Sequence, residues 1–443
     1  PGKKSIAVLP LKPVNAANRD ELYEIGVADS LIHWLSSMKG FVVRPLSATR
    51  KYADIEQDPI AAGREQRVNY VLASNYQLAG GKIRITAQLF NVGNGQIEET
   101  YKSEKDASDV FAMQDAIARD VGRLLQARFA VTSGTPGAKR GTDNEEAYRL
   151  YLQGMYLADR HYAQKAVEVL ERAVELDPDY AQAWAGKAYA HRGVANFIGR
   201  NVSVQEDTQK SMEAIKRALS LDENLADAYS TLCENKMYYE YDFVEAESAC
   251  KRGIELTPNS PLAHQVYSRY LTSRGRFDEA IAEIKTTIDL EPASLFYNSL
   301  YGINLYYARR YPEAIAQFKR VIAMDENFGN ARYWLYVTLA AQGNELEAFE
   351  IFMKLLAKAG KADEATIQAY RAAYQTSGWR GVMQEQAKRY EQSNGRYWEG
   401  AVFNAQAGNK DKAFEYLEKS YQRHEWGMNS LLVEPHLNSL RDD

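Results

Sequence analysis

"RFDEAIAEIKTTIDLEP" (276–292) and "RYPEAIAQFKRVIAMDE" (310–326) begin 34 residues apart and share an Arg-aromatic start followed by Glu-Ala-Ile-Ala. In both, apolar residues recur at three- and four-residue steps, the period of a helix with one buried face. The same spelling appears further upstream. Ala166, Ala173 and Pro178 keep the spacing of Ala246, Gly253 and Pro258 and of Ala280, Thr287 and Pro292; Ala314, Val321 and Glu326 keep it with Glu in the last place. Small residues at fixed positions let two antiparallel helices approach closely, and a proline stops the second helix before the next pair begins.

A period of 34 with this logic is the tetratricopeptide pattern, in which stacked helix pairs bury one another. Six pairs are expected within residues 144–359: 147–178, 181–223, 226–258, 261–292, 295–326 and 329–359. The second carries an insertion, "GRNVSVQEDTQK" (199–210), expected to bulge from its inter-helix turn. Residues 360–443 read as irregular helices, a degenerate seventh repeat with Gly408 and Ala413 in repeat positions, and, in "LLVEPHLNSLRDD", the start of a C-terminal cap.

Residues 1–130 follow a different rule. "SIAVLPL" (5–11) and "FVVRPLS" (41–47) read as strands, and helical spacing marks 21–38, 58–68 and 109–129. Ile83, Ile85, Ala87 and Leu89 alternate onto one face, with Gly80-Gly81 and Gly93-Asn94-Gly95 at two hairpin turns. The fold class is therefore an α/β amino-terminal domain, a mixed sheet with helices, followed by an all-α tetratricopeptide solenoid. Residues 131–143, rich in Gly, Ser, Thr and Pro, read as the linker.

With 443 residues, 45% hydrophobic and 26% charged, the composition is that of a folded protein. The first 130 residues hold 17 basic and 15 acidic side chains and the remainder 37 and 44, so no nucleic-acid contact by this chain is expected. No run of 18 apolar residues is present. The start "PGKK", without Met, reads as a fragment cut from something longer. The six histidines never stand three or four apart, so neither a metal site nor a cofactor is expected. The "GGK" and "GNG" stretches lack phosphate-loop spacing, and the carboxylates spread along repeating helix faces, so no catalytic residues are assigned.

"KSIAVLPL" (4–11), "IGVADSLIHWLSSMKGFVVRPLSATRKY" (25–52), "REQRVNYVLASNYQLAGGKIRITAQLFNVGNGQI" (64–97) and "DVFAMQDAIARDV" (109–121) together resemble the TolB amino-terminal-like domain. One departure stands at Arg67-Val68, where that family usually reads Gly-Val. "YEYDFVEAESACKRGIELTPNSPLAHQVYSRYL" (239–271) and "SGWRGVMQEQAKRYE" (377–391) resemble the tetratricopeptide repeats that follow this domain in bacterial ToxR/CadC-type winged-helix membrane regulators. The resemblance implies an output module and a membrane tether upstream of residue 1, with this pair of domains in the periplasm; a cytoplasmic placement is the alternative. In relatives the output module is a protein kinase or nucleotide cyclase.

Two sets of residues are singled out. Cys233 and Cys250 occupy facing positions of the third helix pair; they are either small core residues or a disulfide, which an oxidising compartment would permit. Helix-A positions that line the concave face of such arrays give Tyr148, Tyr151, Met155, Tyr189, Arg192, Glu234, Tyr238, Arg269, Tyr306, Tyr307 and Tyr333, with Met237 and Phe296. Tyr and Arg are typical of contact hot spots, so the groove is the candidate site for a protein or peptide partner; the alternative is that these tyrosines pack between helices. The Lys and Asn of a carboxylate clamp are missing.

The function expected is a non-catalytic sensory or scaffolding region of a bacterial membrane-bound transcriptional regulator, with homodimerisation open. The alternatives are a cell-envelope assembly scaffold or an accessory region of a kinase or cyclase.

Overall fold

The computed structural model describes residues 4–36, 41–53, 58–107, 109–129, 141–160, 162–195, 204–358, 363–392 and 396–441. Most of the linker (131–143) and the start of the 199–210 insertion lie outside these described residues.

The amino-terminal strands are β1 (Lys4–Val8), β2 (Lys12–Pro13), β3 (Phe41–Val43), β4 (Tyr70–Ala79), β5 (Lys82–Asn91) and β6 (Ile97–Asp106). They form one sheet in the order β3-β1-β4-β5-β6, with β2 alongside β4. β1 runs parallel to β3 and β4, whereas β4, β5 and β6 form an antiparallel meander. Ile83, Ile85, Ala87 and Leu89 are buried on one face of β5, as strand alternation requires. Gly80 and Gly81 take φ of 59° and 72° at the β4–β5 turn, where a side chain would be strained.

Four helices belong to this domain: α1 (Val27–Ser36), α2 (Leu46–Thr49), α3 (Pro59–Glu65) and α4 (Val110–Phe129). α1 and α4 share one hydrophobic cluster with β5, while α3 and Tyr52 close a second on the opposite face, against Ala7, Leu9 and Val71. Arg67 adopts a left-handed φ of 49°, three residues before β4. That conformation costs a non-glycine residue roughly 1–2 kcal/mol.

Helix pairs fill the rest: α5 (Glu145–Asp159) with α6 (Ala163–Leu176), α7 (Ala181–Ala195) with α8 (Val204–Leu221), and α9 (Ala226–Asn235) with α10 (Phe243–Leu256). α11 (Pro261–Ser273) and α12 (Phe277–Leu290), α13 (Leu295–Tyr307) and α14 (Tyr311–Met324), and α15 (Gly329–Gln342) and α16 (Glu345–Lys358) continue the series. Asn144, Ser260 and Ser294 start α5, α11 and α13 by accepting a hydrogen bond from the third residue onward. Ala166, Ala246, Ala280 and Ala314 are fully buried where the two helices of a pair meet. A Cβ on Gly302 would lie 2.5 Å from the Phe318 ring, so the pair closes only on glycine there.

The stretch beyond 360 is more regular than its sequence indicates. α17 (Glu364–Gln392) is broken at Ser377 and Gly378, the latter at φ 59° and ψ −147°, which only glycine tolerates readily. Tyr370 donates to Gln386, and Arg389 donates to Thr366 at 2.9 Å, so residues 364–376 and 379–392 form a tight antiparallel hairpin. α18 (Tyr397–Ala407) and α19 (Lys410–Gln422) form the last pair. The chain then packs Leu437 and Leu440 against Trp398, Ala405 and Ala413 of this last pair. Two 3-10 turns, Trp426–Ser430 and Pro435–Leu440, fold back toward earlier repeats.

Gly302→Val should cost about 1–3 kcal/mol by overpacking against Phe318. Gly329→Val, where no neighbour lies within 4 Å of an added Cβ, should change stability much less. Chemical denaturation midpoints of the two variants check both.

Candidate functional site

The concave wall divides into four regions with different chemistry. At its amino-terminal end the α/β domain covers it. Tyr148 is buried, donates to Asp29 at 3.1 Å and meets the Phe111 ring edge-on; with Leu150 and Leu152 it belongs to the same hydrophobic cluster as α1 and α4. Tyr148 is thus removed from the groove: the first repeat has no preceding repeat, and the α/β domain takes that place. Arg50 donates to the Leu152 carbonyl and stacks on Tyr156, and Arg149 pairs with Asp20.

The same domain reaches across to the fourth helix pair. Arg44, which also donates to the Gln66 and Arg67 carbonyls, donates to the Asp289 carbonyl, and Ser47 donates to the Glu291 carboxylate. Burial pushes the Glu291 carboxyl up to about 7, against the Ser47 hydrogen bond; nearby Asp159 pushes the same way. Neither contact with the fourth helix pair has a motif in the sequence, because they join residues 245 and 244 positions apart.

Next, Tyr151, Met155 and Tyr189 line a hollow of about 20 Å³ with Gly186 and Asp227, room for little more than a water. Deeper in, Glu234 is buried between two guanidinium groups, Arg192 at 3.0 Å and Arg269 at 3.3 Å. Burial would pull the Arg192 pKa down, but Glu234 outweighs it and holds it raised. Arg269 lies over Tyr238 and Arg192 over Tyr189, so this part of the wall is a ladder of charges and rings. Glu234, Tyr238 and Met237 are buried in it and present no free surface to a partner, contrary to the groove mapping; Phe296 remains exposed.

Tyr306 and Tyr307 are also buried, because the C-terminal segment occupies the place expected for a partner. The Tyr306 hydroxyl donates to Glu434 at 2.6 Å and lies 2.9 Å from His436 Nδ1; Tyr307 donates to Ser430 at 3.1 Å. Arg309 donates to Asn438, and Tyr241 stacks on Tyr421 and His424. Behind this strap lies a cavity of about 580 Å³. α13, α15, the second half of α17, α18 and the strap itself wall it, and it includes Tyr333 and four of the chain's six tryptophans, Trp334, Trp379, Trp398 and Trp426. Its size and aromatic lining are those of a small-molecule site.

The cavity lining also carries Asn330, Gln386, Arg396, Glu399, Gln406, Glu434 and His436. Arg396 donates to Glu399 Oε1 at 2.9 Å, and burial, opposed by Arg396, pushes the Glu399 carboxyl above its usual range. Burial pushes Glu434 upward too, but hydrogen bonds from His436 and Tyr306 outweigh it and hold it low. The helix-A mapping reached Tyr306, Tyr307 and Tyr333 of this chamber but missed Trp398, Glu399, Trp426, Glu434 and His436. The density of tryptophan after residue 330 was the available signal.

Cys233 and Cys250 are joined by a disulfide that ties α9 to α10, with Cα atoms 5.3 Å apart, and both are also buried core residues.

With this geometry in place, comparison with known proteins finds similarities to parts of the chain. Residues 2–120 match the family described as the second domain of HilA/YgeH-like transcriptional regulators, and 302–364 match a tetratricopeptide repeat family. The array is a tetratricopeptide solenoid, an architecture that serves protein–protein contact. A putative adenylate cyclase 3 from Rhizobium meliloti (strain 1021) is 28% identical over 188 residues, 42% of this chain. The match spans 32% of that curated relative's length. Among solved structures, the type IV pilus biogenesis factor PilW is similar at 17% identity and a TM-score of 0.41, over 50% of this chain and 97% of its own. YrrB, a tetratricopeptide protein with an unusual peptide-binding site, is similar at 19% identity and a TM-score of 0.29, over 43% and 93%.

Two outcomes follow from the wall's chemistry. A carboxyl raised in the folded state favours folding while protonated, so stability should fall by roughly 3 kcal/mol as pH rises from about 4.5 through about 7. Glu291→Gln should flatten that part of the pH–stability curve measured by denaturant unfolding. Reduction of the Cys233–Cys250 bond, which closes a separation of 17 residues, should cost about 3 kcal/mol and lower the thermal midpoint. Thiol titration of the unreduced, unfolded protein should find no free thiol.

Proposed function

We propose that this chain is the non-catalytic sensing and scaffolding region of a bacterial membrane-bound transcriptional regulator of the ToxR/CadC type, with a TolB-like α/β domain as its connection to the output module. The similarity of residues 2–120 to the second domain of HilA/YgeH-like transcriptional regulators carries this reading. The docking of that domain onto two separate parts of the array supports it mechanically. A ligand or partner that alters the array biases the orientation of the α/β domain, because Arg44, Ser47, Arg50 and Tyr148 couple the two.

A membrane tether upstream of residue 1 would place both domains in the periplasm, where the Cys233–Cys250 bond would persist. Among the described residues no helix is long and apolar enough to cross a membrane. A protein or peptide partner on the array and a homodimer belong to the same proposal. The second reading, an accessory region of a nucleotide cyclase, is favoured by the similarity to the Rhizobium meliloti putative adenylate cyclase.

The coding sequence upstream of Pro1 tests these readings. A winged-helix pattern followed by an apolar segment of about 20 residues is expected. A cyclase module there would replace the first reading with the second, and a secretory or lipoprotein leader alone would leave neither. In the full-length protein, Arg44→Ala should loosen the docked α/β domain, seen as a larger radius of gyration in solution scattering, and change reporter output. Unchanged output with a loosened domain would sink the coupling mechanism.

A further inference from the structure

β6 is the open edge of the amino-terminal sheet. It ends the order β3-β1-β4-β5-β6, and among the described residues no strand pairs with its outer side. Ala107 donates to the Gly81 carbonyl at 2.9 Å, which sets the alternation of the β5–β6 ladder. Odd-numbered residues from Glu99 to Lys105 therefore bond to β5, and the N–H and C=O groups of Thr100, Lys102, Glu104 and Asp106 point away from the sheet. These four residues are also exposed. The strand is 10 residues long without proline or glycine, whereas the opposite edge, β3, has three residues. An edge of that length is a template for another strand unless its charges forbid it.

The charges forbid most arrangements and permit one. Outward-bonding residues must meet outward-bonding residues, and the irregularity opposite Leu89–Phe90 bars registers centred near Ile97. A two-fold antiparallel pair of β6 strands centred on residue 101 sets Glu98 against Glu104. Centred on 102 or 104, it sets Lys102 or Glu104 against its own copy, and centred on 105 it sets Glu104 against Asp106. Centred on Ser103, Lys102 faces Glu104 of the second copy and Glu104 faces its Lys102, while Tyr101 faces Lys105 and Thr100 faces Asp106. Opposite charges in that position stabilise a strand pair and like charges destabilise it. Lys82 at 3.3 Å and Arg84 at 2.9 Å already hold the Glu104 carboxylate on this face.

We propose that β6 pairs antiparallel with β6 of a second copy of this chain, centred on Ser103, joining two amino-terminal sheets into one. The inference rests on the homodimer included in the proposed function and gives it a surface. The sequence upstream of Pro1 tests the regulator reading, whereas the mass of this chain tests the edge, so either can fail without the other. One strand pair buries less than about 1,200 Å², so the dimer is weak and its population rises with concentration.

Sedimentation equilibrium of the 443-residue chain between about 5 and 500 µM should show a monomer–dimer equilibrium. Lys102→Glu and Glu104→Lys each set like charges opposite one another and should weaken the dimer about tenfold, with unchanged circular dichroism. Mixed together, the two variants face each other with opposite charges and should regain the dimer. The chain's two cysteines are bonded to each other, so Ser103→Cys adds a single free thiol. At the two-fold axis its Cα would stand about 4.5 Å from that of the second copy, and mild oxidation should give a covalent dimer. Thr100→Cys, three residues off the axis, should give none, and this cysteine pair carries the test if a charge variant misfolds. A monomer at every concentration, a dimer undiminished by either charge change, a mixture that stays monomeric, or Thr100→Cys crosslinking as readily as Ser103→Cys would overturn the proposal.

Discussion

The burial of Tyr148, Leu150 and Leu152 against α1 and α4 holds the rest of the arrangement in place. An array of helix pairs has an apolar face at each end that nothing in its own period covers. Here the α/β domain covers the first one, so the core of the sheet and the core of the first repeat are a single cluster. With that face seated, Arg44 and Ser47 on the far side of the domain come within reach of Asp289 and Glu291. The two domains are in this sense one folded body with two kinds of secondary structure.

The opposite end is settled by polar chemistry. The strap formed by 426–440 is anchored through Tyr306 to Glu434, Tyr307 to Ser430 and Arg309 to Asn438, contacts between side chains 123 to 129 positions apart. It covers the aromatic wall without filling it. Between the two ends, the Arg192–Glu234–Arg269 ladder sits where a peptide groove would otherwise lie open, with both guanidinium groups committed to one carboxylate. Whatever the array recognises meets an inner surface already organised by its own termini.

Local rules carried the fold class. Period two in β5, period 34 in the helices and glycine at the β4–β5 turn each follow from steric requirements of a few neighbouring residues, and the structure has those elements in that order. The candidate site was less legible for a physical reason. Helix-A positions specify which way a side chain points, but not what arrives from elsewhere to meet it. Tyr148 and Tyr306 do point inward, and each is claimed by a segment more than a hundred residues away. The hairpin at Ser377–Gly378 escaped notice because its two helices are joined by so short a turn that no loop composition marks it.

That hairpin also changes the parity of the array. In every earlier pair the first helix lies on the concave side and the second on the outside, so inner and outer alternate along the chain. After α16 the order reverses: Tyr374 in the first half of α17 stacks on Phe349 of α16, while Trp379, Met383 and Tyr390 of the second half face inward. α18, which follows, also faces inward. Two inner helices in succession give the concave wall one more panel than the regular repeat allows. The chamber occupies the space that this extra panel encloses, so a single glycine-dependent turn separates a solenoid with a plain groove from one with a room at its end.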